Sequence, residues 1–277
     1  MNGALIRMIP VLLGMVLFFP SASAGQTDER WRFLASGLEY GSFRVKSLSQ
    51  TGEGTIHVVR IDPAKARLKL LLASEYGNKS RTTAGWCKEI DLVSAINAGM
   101  YHKDLITNVG YLRNGAHIQN RRWNGKYKSV LAFDPKKAGI PAAIMVDLDK
   151  PGAMDSLSDY NAVVQNLRLV KGDEVNVWAR QDQRWSEAAV GMDRDGRVLF
   201  LFCRLPLTMR HFNEVIQSRG LGVVRMMHAE GGPIASLSIR ASDLTLDLAG
   251  SYGTNIRADD TNEVQWPIPN VLGVQAR

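Results

Sequence analysis

The chain holds only two cysteines, Cys87 and Cys203, among 277 residues. That excludes a disulfide framework, and two cysteines so far apart make no zinc motif. In an oxidising compartment they could pair. Equally, Cys203 ends the apolar run from Val198, where a free thiol packs as a small hydrophobe. No stretch beyond the first 24 residues is apolar over the roughly 20 residues that a bilayer span requires. No internal repeat or low-complexity linker marks a domain boundary. Basic residues are scattered, apart from Arg121-Arg122 and Lys136-Lys137, with no repeated stripe of basic and aromatic side chains. Nucleic acid is therefore not an expected partner. Asp193 and Asp195 lack the further ligands and closing Glu of an EF-hand loop. No grouping of His, Cys and carboxylates has ligand spacing, so neither a metal nor another cofactor is expected.

What is present begins with an export signal. Arg7 supplies a positive start, Ile9 to Phe19 an apolar core broken by Pro10 and Gly14, and Ala22-Ser23-Ala24 a small-residue cleavage site. Residues 1–24 are expected to be removed, with an uncleaved anchor as the alternative. The remainder, 25–277, would be periplasmic or secreted, with no stable membrane insertion. At about 250 residues it is long enough for a substantial core without staples. The full chain's net charge of +7, which becomes +6 when Arg7 leaves with the signal, favours anionic ligands, phosphates and acidic glycans among them; it serves solubility equally well.

Periodicity fills this segment with strands. Thr55 to Ile61, Leu68 to Ala73, Ser129 to Phe133 and Ala142 to Asp147 each read as one, bounded by turn residues. Asn114-Gly115 and Asp195-Gly196 mark hairpins. Thr82 or Thr83 caps a short helix, and Thr208 or Asn213 another. The strand Ala162 to Val170 carries Gln165, Asn166 and Arg168 in an otherwise apolar run, which is costly unless something polar meets them. The stretch on which the rest of the chain centres runs from Gly222 to Ile239. Its apolar Val223 to Met227 delivers His228, Ala229 and Glu230 into Gly231-Gly232-Pro233. A carboxylate at a strand end, followed by glycines that free backbone N–H groups, suits chemistry on a ligand. Read blandly, it is a tight turn with one solvated Glu.

Five segments in this order resemble the phosphodiester glycosidase family. They are Asn97-Ala98-Gly99-Met100-Tyr101, Val109-Gly110-Tyr111, Gln165-Asn166-Leu167-Arg168, Val190-Gly191-Met192-Asp193 and Ala229-Glu230-Gly231-Gly232. Asn270-Val271-Leu272-Gly273-Val274 is similar to the close of bacterial members. Three departures stand out: Glu187 occupies the usual place of an Arg, Glu230 that of an Asp, and Asn166 and Arg168 those of Ser and Pro. The resemblance implies an α+β fold: a single domain with a mixed twisted β-sheet and a few packing helices. Asn97, Gln165, Gly191 and Glu230, each at or near the end of an apolar strand, would converge at one edge of the sheet. It implies hydrolysis of a sugar-1-phosphodiester without a cofactor, on a carbohydrate-phosphate substrate. Glu230 would be catalytic and His228 a proton carrier. Asn97, Gly99, Tyr101, Gln165, Asn166, Arg168, Glu187, Gly231 and Gly232 would bind substrate, Arg168 at the phosphate. A non-catalytic envelope protein binding anionic glycan is the alternative, favoured by Glu187 in place of Arg.

Overall fold

The computed structural model describes Met1 and residues 31–46, 53–252 and 261–277. Apart from Met1, the expected signal segment lies outside the described residues.

Period-two alternation decides the layers. In Ala66–Leu72, Leu68, Leu70 and Leu72 turn into one core cluster while Leu71 turns into another. Such strands bury both faces, and the fold gives each face a partner. A five-stranded sheet runs Leu244–Ala249, Ser236–Ala241, Ser94–Asn97, Asn270–Ala276, Ala66–Leu72. A twelve-stranded sheet has Val198–Leu207, Trp185–Asp193, Val223–Gly231 and Tyr160–Lys171 side by side at its centre. The two sheets face each other across the largest core cluster. Ile96, Leu237 and Leu272 come from the smaller sheet, Val190, Phe200 and Met227 from the larger.

The outer faces are covered by helices. Thr83–Ile90 lays Trp86 and Cys87 against Leu71, Ala95 and Val271 of the smaller sheet. Met209–Ser218 lays Phe212, Val215 and Ile216 against Ala189, Leu199 and Leu201 of the larger. Both begin at the expected threonines: Thr82 Oγ1 accepts from Gly85 N at 2.9 Å, and Thr208 Oγ1 from His211 N at 3.2 Å. The layers are therefore helix, sheet, sheet, helix. None of the helices among the described residues is long and apolar enough to cross a membrane.

The α+β description holds in outline, with one correction. The sheet is not mixed: every strand pairing among the described residues is antiparallel, and there are two sheets. Hairpins and sheet-to-sheet crossings connect the strands, so no long right-handed crossover is needed to make parallel neighbours. Cys87 and Cys203 do not pair. Both are free and buried, on the outer faces of different sheets.

The Gly222 to Ile239 stretch is one of these crossings. Val223–Gly231 lies in the larger sheet, Gly232–Ile234 forms a 3₁₀ turn, and Ser236–Ala241 continues in the smaller sheet. Gly232 takes a φ of +67°, which a side chain would strain.

Candidate active site

Ala229 points into the core between the sheets, so its neighbours His228 and Glu230 turn away from it. The pairing on the neighbouring strand shifts at this point: Ala189 faces His228 while Ala188 faces Glu230. The bulge bends the strand end and re-aims both side chains into one cavity of about 680 Å³. Gly231, Gly232 and Ile234 form part of its wall.

Behind these residues lies a buried ion pair. Glu187 pairs in register with Gly231, and its Oε1 lies 2.5 Å from His228 Nδ1. Its other oxygen accepts from Trp185 Nε1 at 2.9 Å. Burial alone would lower the His228 pKa, but the Glu187 carboxylate and its hydrogen bond outweigh it, and the value ends above the usual 6.5. With Nδ1 taken by Glu187, Nε2 is the ring atom left for a ligand. Gly231 is needed for this contact. A Cβ there would sit 2.7 Å from Trp185 Cδ1 and push the indole off Glu187.

Glu230 is buried too, and its carboxyl is pushed up to about 7. Burial is the main cause; His228 and the Gly231 N–H, which donates to Oε1 at 3.0 Å, pull it back, and Glu187 adds repulsion. A carboxyl that exchanges its proton near neutral pH is matched to acid–base work. Two tyrosines stand close enough to feel its charge. Tyr101 and Tyr127 are both raised by burial first and by Glu230 second, Tyr127 to about 12.

The remaining polar residues from the sequence reading support this arrangement from behind. Asn97 Oδ1 accepts from Ser236 N at 2.8 Å and its Nδ2 donates to Ile234 O at 3.1 Å, which fixes the turn after Gly232. Gln165 accepts from Tyr111 N and Asn124 N, both at 2.9 Å, and donates to Tyr127 O at 2.8 Å. Those bonds anchor the loop that brings Tyr127 to Glu230. Asn166 Nδ2 donates to Ala98 O at 2.7 Å, tying the two sheets together beside Gly99. A Cβ on Gly99 would meet Asn108 Oδ1 and Asn166 Oδ1, each at 2.6 Å.

Of the residues expected to bind substrate, Gly231 and Gly232 line the cavity, whereas Asn97, Gly99, Tyr101, Gln165, Asn166 and Glu187 do not, and two further placements are corrected. Arg168 is not at the cavity. Leu167, which pairs with His228, lines it, and the next residue points to the opposite face. There Arg168 is held by Asp149 at 2.7 and 2.8 Å and by buried Asp147 at 3.1 Å. Gly191 is not at the cavity either. It pairs with Met226 in mid-strand and packs against Leu201 and Val223. The sequence reading missed the cavity's aromatic wall, Trp178, Trp185 and Trp266 with Tyr252. Their only signal was the tryptophans themselves, spread over separated segments. Among the described residues, no group of three or more His, Cys, Asp or Glu side chains is arranged to hold a metal ion.

The family model for phosphodiester glycosidase matches residues 91–275, a span that contains every element of this site. The chain belongs to the phosphodiester glycosidase family. No curated protein sequence matches it significantly. Among solved structures, it is similar to the zebrafish N-acetylglucosamine-1-phosphodiester alpha-N-acetylglucosaminidase catalytic domain, auto-inhibited by its pro-peptide. The TM-score is 0.63 at 12% identity, over 88% of this chain and 87% of that one. A structure from Synechocystis, of a hypothetical protein, is similar with a TM-score of 0.58 at 13% identity, over 87% of this chain and 62% of that one. At these identities the likeness shows a shared fold. Glu187 stands where the resemblance led one to expect Arg, and it is paired with His228.

Proposed function

We propose that this chain is an exported hydrolase that cleaves a sugar-1-phosphodiester at the sugar's anomeric carbon. The observation that carries this is the Glu230 carboxyl, raised to about 7 beside a buried Glu187–His228 pair in a cavity. Glu230 in its ionised form takes a proton from water. The water oxygen bonds to the anomeric carbon, and the bond from that carbon to the phosphate oxygen breaks with its electron pair. The products are a free sugar and a phosphate monoester. Phosphate is a good leaving group, so a strong general acid is not required, and one carboxylate base suffices.

His228 complements this base. Charged through its pair with Glu187, it offers an Nε2–H donor to a phosphate oxygen as negative charge builds there. This assignment replaces Arg168, which is bound elsewhere. Tyr101 and Tyr127 keep their protons across the physiological range and serve as neutral donors near Glu230. The same site would suit a glycan binder without turnover. The raised carboxyl favours the enzyme, because binding alone needs no group poised near neutrality.

Export follows the signal-like first 24 residues, and the mature chain is expected to start at Gly25 and to act in the periplasm or outside the cell. The test is a screen of the purified mature chain against sugar-1-phosphodiesters with product masses measured. Equal release of free sugar and phosphate monoester is expected. Ligand binding without any product would turn the reading to the binder.

A further inference from the structure

The cavity beside Glu230 is strongly apolar for a site that handles a sugar phosphate. Trp178, Trp185 and Trp266 line it with Leu167 and Ile234, and Gln183 and Arg184 are the polar side chains beside Trp185. An indole has one polar atom, its N–H, and all three are spent within the protein. Trp178 Nε1 donates to Arg168 O at 2.9 Å, Trp185 Nε1 to Glu187 Oε2 at 2.9 Å, and Trp266 Nε1 to Asn262 Oδ1 at 3.1 Å. What these rings present to a ligand is hydrocarbon.

A second sugar seated among them would stack a C–H face on the indoles and would have Gln183, Arg184 and Tyr252 to meet its several hydroxyls, whereas an alkyl chain leaves no hydroxyl to satisfy. Around Glu230 stand His228, which also lines the cavity, and Tyr101 and Tyr127, close enough to feel the carboxylate's charge. The two halves of a phosphodiester therefore meet unlike surroundings. The sugar and phosphate match the polar side, and the group esterified to the phosphate matches the indoles.

We propose that the alcohol on the phosphate is a hydrocarbon-chain alcohol, so that the substrate is a sugar joined through phosphate to a lipid-like tail. This rests on the glycosidase reading above. It places the chain after a reaction that transfers a sugar phosphate onto, or builds it upon, a long-chain alcohol, and it releases the phosphorylated alcohol as product.

The test uses the mature chain and a series of sugar-1-phosphate esters that share one sugar and carry methyl, hexyl or decyl groups, kept below micelle-forming concentrations. A disaccharide-forming ester of the same sugar phosphate completes the set. Monoester release gives kcat/KM, and quenching of tryptophan fluorescence gives the affinity for methyl, hexyl and decyl phosphate. The expected result is a rise in kcat/KM and in affinity along the series, by up to about fourfold per methylene buried. Trp178→Ala and Trp266→Ala should each flatten that slope. A flat or falling series, or preference for the disaccharide ester, overturns the proposal and leaves the glycosidase reading standing. Chain-length-dependent binding of the alkyl phosphates with no turnover of any ester does the reverse: the apolar subsite stands and the glycosidase reading fails. Neither turnover nor length-dependent binding overturns both.

Discussion

Replacing Glu230 by glutamine separates what its charge does for turnover from what it costs the fold. The carboxyl titrates near 4.5 in a solvated chain and near 7 in the folded protein. Because the folded value is raised, the folded state binds the proton more tightly than the unfolded state does. Folding is thus unpenalised below about 4.5, and a penalty grows as pH rises toward 7 and is complete above it. A shift of this size corresponds to roughly 3 kcal/mol, at about 1.4 kcal/mol for each pH unit. Glutamine keeps the shape and can still accept from the Gly231 N–H, but it carries no charge to bury. Glu230→Gln should therefore melt like the wild type at pH 4.5 and more stably than it at pH 8.5. For a domain of this size each kcal/mol moves Tm by about 2–4 °C. Turnover should fall by about 10²–10⁴-fold, the usual loss when a general base is removed. Calorimetry at the two pH values and steady-state kinetics read both effects. A variant that is destabilised at pH 8.5 would show that the charge is satisfied in the fold. One that keeps nearly full activity would make Glu230 a turn residue only.

In the wild type, kcat/KM should rise as pH increases through about 7, as Glu230 ionises, and fall again on the alkaline side as His228 loses its proton. Glu187→Gln removes the carboxylate that raises His228, so the alkaline limb should move to lower pH; an unmoved limb would detach Glu187 from His228 in the reaction. Gly99→Ala should cost about 1–3 kcal/mol by overpacking, since its Cβ would meet Asn108 Oδ1 and Asn166 Oδ1 at 2.6 Å; denaturant midpoints unchanged from wild type would contradict that packing. Cys87 and Cys203 are buried thiols, each pushed up to about 12 by burial. A thiol reagent at pH 8 should label neither in the native chain and both after unfolding without reductant, whereas absence of label after unfolding would indicate a disulfide.

Local rules made the elements legible. Thr82 and Thr208 cap as their positions predict, Asn114-Gly115 and Asp195-Gly196 turn the expected hairpins, and the polar residues of the Ala162 to Val170 strand do meet partners. The division into two sheets was not legible. Val198–Leu207 is apolar on successive residues, and a strand buried on both faces does not declare its neighbours. Arg168 shows how much one residue of register decides. Leu167 lines the cavity and Arg168, next to it, serves an ion-pair cluster on the other face. The tryptophans of the cavity come from separated segments, and their convergence is a property of the fold alone. Glu187 read as a departure from the family pattern, because nothing local shows that it reaches His228 across a strand pair.

The central claim is that water attacks the sugar carbon and not the phosphorus. The most direct measurement is turnover of a sugar-1-phosphodiester in water enriched in oxygen-18, with both products analysed by mass. The account predicts the heavy oxygen at the anomeric hydroxyl of the free sugar and an unlabelled phosphate monoester. Label in the phosphate would mean cleavage of the phosphorus–oxygen bond and would contradict the assignment of this site.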